Sequence, residues 1–460
     1  MSEAKRLGGG PVTARFRMWR AGSRPGGMQA ALLYLSMPAL SAVNAVVGLL
    51  IPRLLGPVDF GQYSLVVTMF QYGLILDFGL SQLTDRRLPV MVSQGDQTGL
   101  DAFVNEVLWT RLYVAAAVGA GGSLLMLWLD GAGLLPFSAV PGILSLAGGI
   151  GFMLALGPMS VWRATARRGL FARWSAACGL VLAVGRPVGM LAGGLSGCFG
   201  LLAAGYAGLA AALGGTMPPR RAGRPGAGRV AVLLALGAPL FATSFIWAFY
   251  MTANRWVMSL LVSETDLGQF AFGANVVYLI VGTVAALAQL HYPALVARAA
   301  AAGPFGVSRV IGRDLSGLAV AVAGPTVVGL VAGPYLIDLF YPAFSGAEGP
   351  LRGLLAAVPS LVVASWLMPL SLSTAARPWV DGVVIYPAAL ALLAAATAVG
   401  FRLSGIDGAG WGLVASSVPL VAMQLGRLHL VQLLRPVDAG RILGAVCACT
   451  AVLVGLQFLT

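Results

Sequence analysis

Apolar stretches of about 20 residues, the length that crosses a bilayer core, recur near 30–52, 63–83, 107–129, 135–158, 174–194 and 195–217. A polar interruption at 218–229, rich in Gly, Pro and Arg, separates these from six more near 234–260, 268–290, 315–337, 350–373, 380–401 and 408–430. A thirteenth apolar run lies at 440–459. The pattern predicts an all-α polytopic membrane protein with two six-helix lobes, 29–217 and 230–433, around a central cavity. A cytoplasmic linker over 218–229 joins the lobes, and an additional C-terminal helix occupies 434–460. Residues 1–28 are polar and basic, and no short apolar stretch with a small-residue cleavage site follows them. They read as a cytoplasmic tail, not a signal peptide.

Only 10% of the 460 residues are charged, against about 25% in soluble domains, which excludes a soluble globular protein. Lys5 is the single lysine among 29 basic residues and lies in the polar tail. A Walker A loop, which sets a lysine against phosphates, is therefore absent, as is a buried Schiff-base lysine. Two histidines, His291 and His429, and four scattered cysteines give neither a zinc set nor a disulfide framework. Cys178, Cys198, Cys447 and Cys449 fall in apolar runs and read as small packing residues.

The placement of the basic residues tests the threading independently of hydropathy. With the tail inside, 24 basic residues fall on inward connections, Arg111 among them, against Arg53, Arg352 and Arg402 outward and Arg186 and Arg255 within helices. That asymmetry follows the positive-inside rule and explains the net charge of +13 without nucleic acid as a partner. The longest predicted connections, 84–106 and 291–314, run to little more than about twenty residues each and leave no room for an extramembrane domain. The outward acids Asp59, Asp130, Glu264, Asp266, Asp338, Glu348 and Asp407 have no His or Lys to complete an acid/base pair. An enzyme is accordingly the weaker expectation, and a membrane glycosyltransferase or polymerase would need an essential acid on one of those loops.

The chain also repeats itself. Asp59-Phe60-Gly61-Gln62-Tyr63 returns as Asp266-Leu267-Gly268-Gln269-Phe270, each time between the first two segments of a six-helix block. Gly194 and Gly197 are matched by Gly405 and Gly408 before the sixth segment of each block, and Pro38 by Pro239. Because each block holds an even number of segments, the two run parallel about an axis along the membrane normal, as in many transporters.

The run Ile51-Pro52-Arg53-Leu54-Leu55-Gly56-Pro57-Val58-Asp59-Phe60-Gly61-Gln62-Tyr63 resembles the first-helix exit of the O-antigen and polysaccharide flippases of the multidrug/oligosaccharidyl-lipid/polysaccharide exporter superfamily. Asp77-Phe78-Gly79-Leu80 is similar to that family's Gly-Leu ending of the second helix, and Asn254-Arg255 stands where the family often has Asp-Arg. The resemblance implies a flippase that carries a polyprenyl-pyrophosphate-linked oligosaccharide from the cytoplasmic to the periplasmic leaflet of a bacterial inner membrane by alternating access. It implies membrane lipids around the protein, the polysaccharide polymerase and glycosyltransferases of the same pathway as partners, and no cofactor beyond H+ or Na+ coupling. An ion-coupled drug or metabolite exporter of the same superfamily is the alternative.

Arg186, beside Pro187 in the fifth segment, is the first candidate for a substrate group, because a charge within the bilayer marks function by default. The blander role is to brace the break at Pro187 or to pair with Asp77, itself a coupling candidate or a structural partner. Arg255, Asn44, Gln71, Asn254 and Asn275 are further path candidates, with interhelical hydrogen bonding as the competing role. Arg53, Gly56, Pro57, Gly61 and Gly268 form the predicted structural turn motif. Trp247, Tyr250 and Trp256 fit either a sugar-stacking surface or an interfacial aromatic belt.

Overall fold

The computed structural model describes residues 27–164, 167–216, 223–302, 305–374 and 379–457. The tail and part of the linker at 218–229 lie outside them. The fold is helical, with α1 over Gly27–Ile75, α2 Leu80–Gln94, α3 Gln97–Gly131, α4 Ala139–Ala164, α5 Arg168–Thr216 and α6 Ala227–Ser259. There follow α7 Glu264–Ala302, α8 Ser308–Phe340, a 3-10 segment Pro342–Ala347, α9 Glu348–Ala356 and α10 Val358–Thr374. A π-helical turn Asp381–Ile385 opens α11, Tyr386–Leu430, and α12 spans Pro436–Gln457.

Among the described residues, nine helices are long and apolar enough to cross a membrane, and the α9–α10 pair, bent by 50°, counts as a tenth if the two form one span. Three of the nine are double crossings. A straight helix of 49 residues, the length of α1 and of α5, would measure about 74 Å, more than twice a hydrocarbon core of about 30 Å. Each long helix breaks at a glycine in the left-handed region: Gly56 (φ 73°) in α1, Gly194 (φ 58°) in α5 and Gly405 (φ 63°) in α11. The breaks restore the thirteen predicted segments.

At two of these breaks the chain folds straight back on itself. In α5, a Cβ on Gly189 would lie 2.5 Å from the carbonyl oxygen of Gly197, and the Tyr206 hydroxyl donates to the Cys178 carbonyl at 3.0 Å. In α11, Gly400 and Gly408 meet in the same way, a Cβ on Gly400 falling 2.2 Å from the Gly408 oxygen. The weak glycine echo of the sequence therefore marks two equivalent hairpins whose arms touch backbone to backbone.

Contacts between connections respect the predicted alternation of sides. Connections assigned outward meet one another: Phe60 packs edge-on against Phe344. Connections assigned inward do the same. Arg229 pairs with Glu106 at 2.9 Å, Arg163 pairs with Asp85, and the Asn105 amide donates to the Gly223 carbonyl at 3.1 Å. The thirteenth segment packs against α8 through Asp438, whose carboxylate accepts from the Ser308 hydroxyl at 2.5 Å. Reporters fused after Arg435 and after Gln457 are expected on opposite sides of the membrane; the same side for both would mean that α12 lies along the surface.

Two boundaries differ from the hydropathy reading. The predicted connection at 84–106 is helical almost throughout, since α2 runs to Gln94 and α3 starts at Gln97, with Asp96 accepting from the Gly99 amide at 2.8 Å as the N-cap. Polar helix ends outside the bilayer do not register in a hydrophobic window. The second segment, predicted as 63–83, is interrupted at 76–79. Phe78 (φ 51°) and Gly79 (φ 78°) are left-handed there, and the helix resumes at Leu80 instead of ending at the Gly-Leu pair.

Candidate functional site

The seam between the halves is formed by α1, which packs on α7, and by its second arm with α2 beyond it, which lie along α6. At its outward end the two repeat motifs pack on each other. A Cβ on Gly61 would lie 2.8 Å from the Glu264 carbonyl oxygen, and one on Gly268 would lie 1.8 Å from the Pro57 carbonyl oxygen. The 207-residue offset of the repeat maps Gly61 onto Gly268 and Pro57 onto Glu264, so these contacts are reciprocal. Both motif glycines are needed for close backbone approach, whereas Gly56 is needed for its φ. Gln62 donates to the Glu264 carboxylate at 3.4 Å across the same seam.

Below this closure stands a cationic and aromatic cluster. Arg255 is 3% exposed; its Nη1 donates to the Ser64 carbonyl at 3.4 Å and its guanidinium lies 4.8 Å above the Tyr278 ring. Tyr63, buried between the halves, is within electrostatic reach of both Arg255 and Arg186. Arg186 itself is half-buried, about 11 Å below the tip of the α5 hairpin at 1.5 Å per residue, and its Nε is a buried donor with no hydrogen-bond partner. Arg255 Nε and Asn254 Nδ2 are in the same condition. Neither arginine forms an ion pair among the described residues. Further inward, Tyr72 shares a hydrogen bond with Thr252 at 2.7 Å and accepts one from the Trp256 indole at 3.1 Å. Phe78 stacks on Phe241 and Gln82 donates to Ser244 at 3.0 Å.

The structure thus sets Arg255 beside Asn254 on α6 and brings both Arg255 and Arg186 within electrostatic reach of Tyr63. Asn275 donates to the Gly48 carbonyl at 3.3 Å and ties α7 to α1. Asn44 and Gln71 are half-buried on the two arms of α1, and Arg53 is exposed ahead of the turn. The aromatic candidates make contacts within the protein. Tyr250 is fully buried and bonds Ser416 at 2.9 Å, Trp247 stacks on it, and Trp256 is held by Tyr72.

Asp77 does not pair with Arg186. Its Oδ2 accepts from Arg111 Nη2 at 3.2 Å and from the Ser81 amide, while its Oδ1 accepts from the Gly79 amide at 2.9 Å. It is therefore the cap of the restarted helix and the counterion of a buried arginine. Arg111, counted as an inward connection from the sequence, is 1% exposed within α3. Its setting in the apolar run Val107–Tyr113 was the available signal. A second buried carboxylate, Asp381, accepts from Ser371 at 2.5 Å and lies 3.8 Å from Arg427. Its π-helical turn had no counterpart in the sequence pattern.

No known family's sequence profile and no curated protein matches the chain. Solved structures do. A lipid II flippase, MurJ, in an inward closed conformation aligns with a TM-score of 0.64 at 12% identity, covering 92% of this chain and 93% of that one. An inward-facing multidrug resistance MATE family transporter of the MOP superfamily aligns with a TM-score of 0.62 at 14% identity, over 86% and 94% of the two chains. A Vibrio cholerae MATE transporter gives 0.53 at 12% identity, over 96% and 98%. The fold is the polytopic helical fold that these transporters share.

Proposed function

We propose that the chain is a flippase that moves a polyprenyl-pyrophosphate-linked oligosaccharide from the cytoplasmic to the periplasmic leaflet of a bacterial inner membrane. It works by alternating access and acts beside the polymerase and glycosyltransferases that use the same lipid-linked units. One observation carries the reading. Among the described residues, the buried carboxylates Asp77 and Asp381 each lie against an arginine and Asp438 is bonded to Ser308, whereas Arg186 and Arg255 have no carboxylate partner. The interior therefore offers uncompensated positive charge, which suits a pyrophosphate. Guanidinium groups remain charged and bind phosphate oxygens in pairs. A cationic-drug exporter would need the opposite balance.

The test is uptake of a short-chain lipid-linked saccharide into proteoliposomes. Arg186→Gln and Arg255→Gln are each expected to lower the rate about tenfold to hundredfold, the loss that accompanies a hydrogen bond to a charged group. Lysine should restore part of it at Arg186. Undiminished transport by the double glutamine variant at normal abundance would refute the role, and efflux of a quaternary ammonium dye in place of the saccharide would favour the exporter.

A further inference from the structure

A groove of about 470 Å³ runs along the outside of the first half, between α3, α4 and the returning arm of α5. Its lining on α3 extends from Leu108 to Ser123, about 22 Å along the helix axis, longer than one leaflet of a core about 30 Å thick. Exposed Ala211 and half-buried Gly214 form part of one wall, so the small side chains leave it open toward lipid. One end is polar. Arg111 lines the groove near its cytoplasmic end, spends Nη2 on Asp77 and Ser81, and keeps Nε and Nη1 buried without a hydrogen-bond partner. Gly157 faces Nη1, where a Cβ would stand 2.7 Å away, so no protein side chain there supplies an acceptor. The cytoplasmic connections nearby carry Arg163, Arg224 and Arg229 against Asp85 and Glu106.

From this we infer that the groove is a binding site for an anionic phospholipid of the inner leaflet, one acyl chain lying along α3 and the headgroup phosphate accepting from Arg111. An acyl chain suits the walls, and an anionic phosphate suits both the two unpartnered donors and the positive excess at the rim. The site is separate from the seam and does not depend on what crosses there.

The experiment is native mass spectrometry of the delipidated full chain with dioleoyl phosphatidylglycerol, dioleoyl phosphatidylcholine or undecaprenyl phosphate added singly. Phosphatidylglycerol is expected to be retained about fivefold more than phosphatidylcholine. Ala211→Trp, which fills the groove from its lipid-facing wall, should abolish that retention, and Arg111→Gln should remove the preference. Equal retention of the two phospholipids, or retention that survives Ala211→Trp, overturns the proposal. Preferential retention of undecaprenyl phosphate overturns it as well and assigns the groove to a carrier lipid.

Discussion

Gly268→Val is expected to hold the outward side of the seam apart and to reduce transport more than tenfold without blocking membrane insertion. Even a Cβ at this position would fall 1.8 Å from the Pro57 oxygen and 2.6 Å from its carbonyl carbon. These are backbone atoms that no rotamer change can move aside. Overpacking of an ordinary core costs about 1–3 kcal/mol, and 1.4 kcal/mol is already tenfold in a conformational equilibrium. The readout is a cysteine pair, Gln62→Cys with Glu264→Cys, whose parent side chains lie 3.4 Å apart, in a background without the native cysteines. The crosslink should form readily in the parent and fall sharply with Gly268→Val. Unchanged crosslinking and transport would show that the contact does not govern closure.

The second large effect concerns Asp77. Asp77→Asn leaves the guanidinium of Arg111 buried without a counterion, and loss of one partner from a buried ion pair costs about 3–5 kcal/mol. The purified variant should unfold at a clearly lower temperature than the parent, with a fall in yield. Replacing both partners, as Asp77→Asn with Arg111→Met, should recover much of that loss, because the desolvation of both charges disappears together. If the double variant keeps parental transport as well, Asp77 is a structural counterion; if stability returns and transport does not, the carboxylate takes part in coupling. An Asp77→Asn protein with unchanged thermal stability would contradict the ion pair.

Hydropathy and charge placement made the crossings legible, because a bilayer imposes a length and the inward surface selects arginine. The repeat was legible too, although only as an echo: Gly405 could be matched to Gly194, but nothing in the sequence said that each turns a hairpin whose arms touch. What remained hidden were partnerships across distance. Arg111 and Asp77 stand 34 residues apart, and a window that averages hydropathy cannot tell a guanidinium at a membrane edge from one drawn into the bundle. Tyr63 belonged to the recognised motif, yet its electrostatic reach to both Arg186 and Arg255 depends on three elements meeting, which no local pattern encodes. The α2 helix was missed for a different reason. It is amphipathic and polar at its ends, and its start is set by a left-handed Gly79 with an Asp77 cap instead of by hydrophobicity.

Gly61 meets the backbone of Glu264, and Gly268 meets that of Pro57, each residue of one repeat facing its counterpart's neighbour. This reciprocity is the signature of an isologous interface, in which one surface patch recognises its own copy about a two-fold axis. The seam therefore has the form of a homodimer contact written twice into a single polypeptide, with the stretch at 218–229 as the tether that makes the association intramolecular. Any change to the shared motif acts on the contact from one side only, so its two halves are free to diverge as long as their backbones still touch. Coexpressed fragments divided within the tether would need only that self-complementary patch to find each other in the membrane.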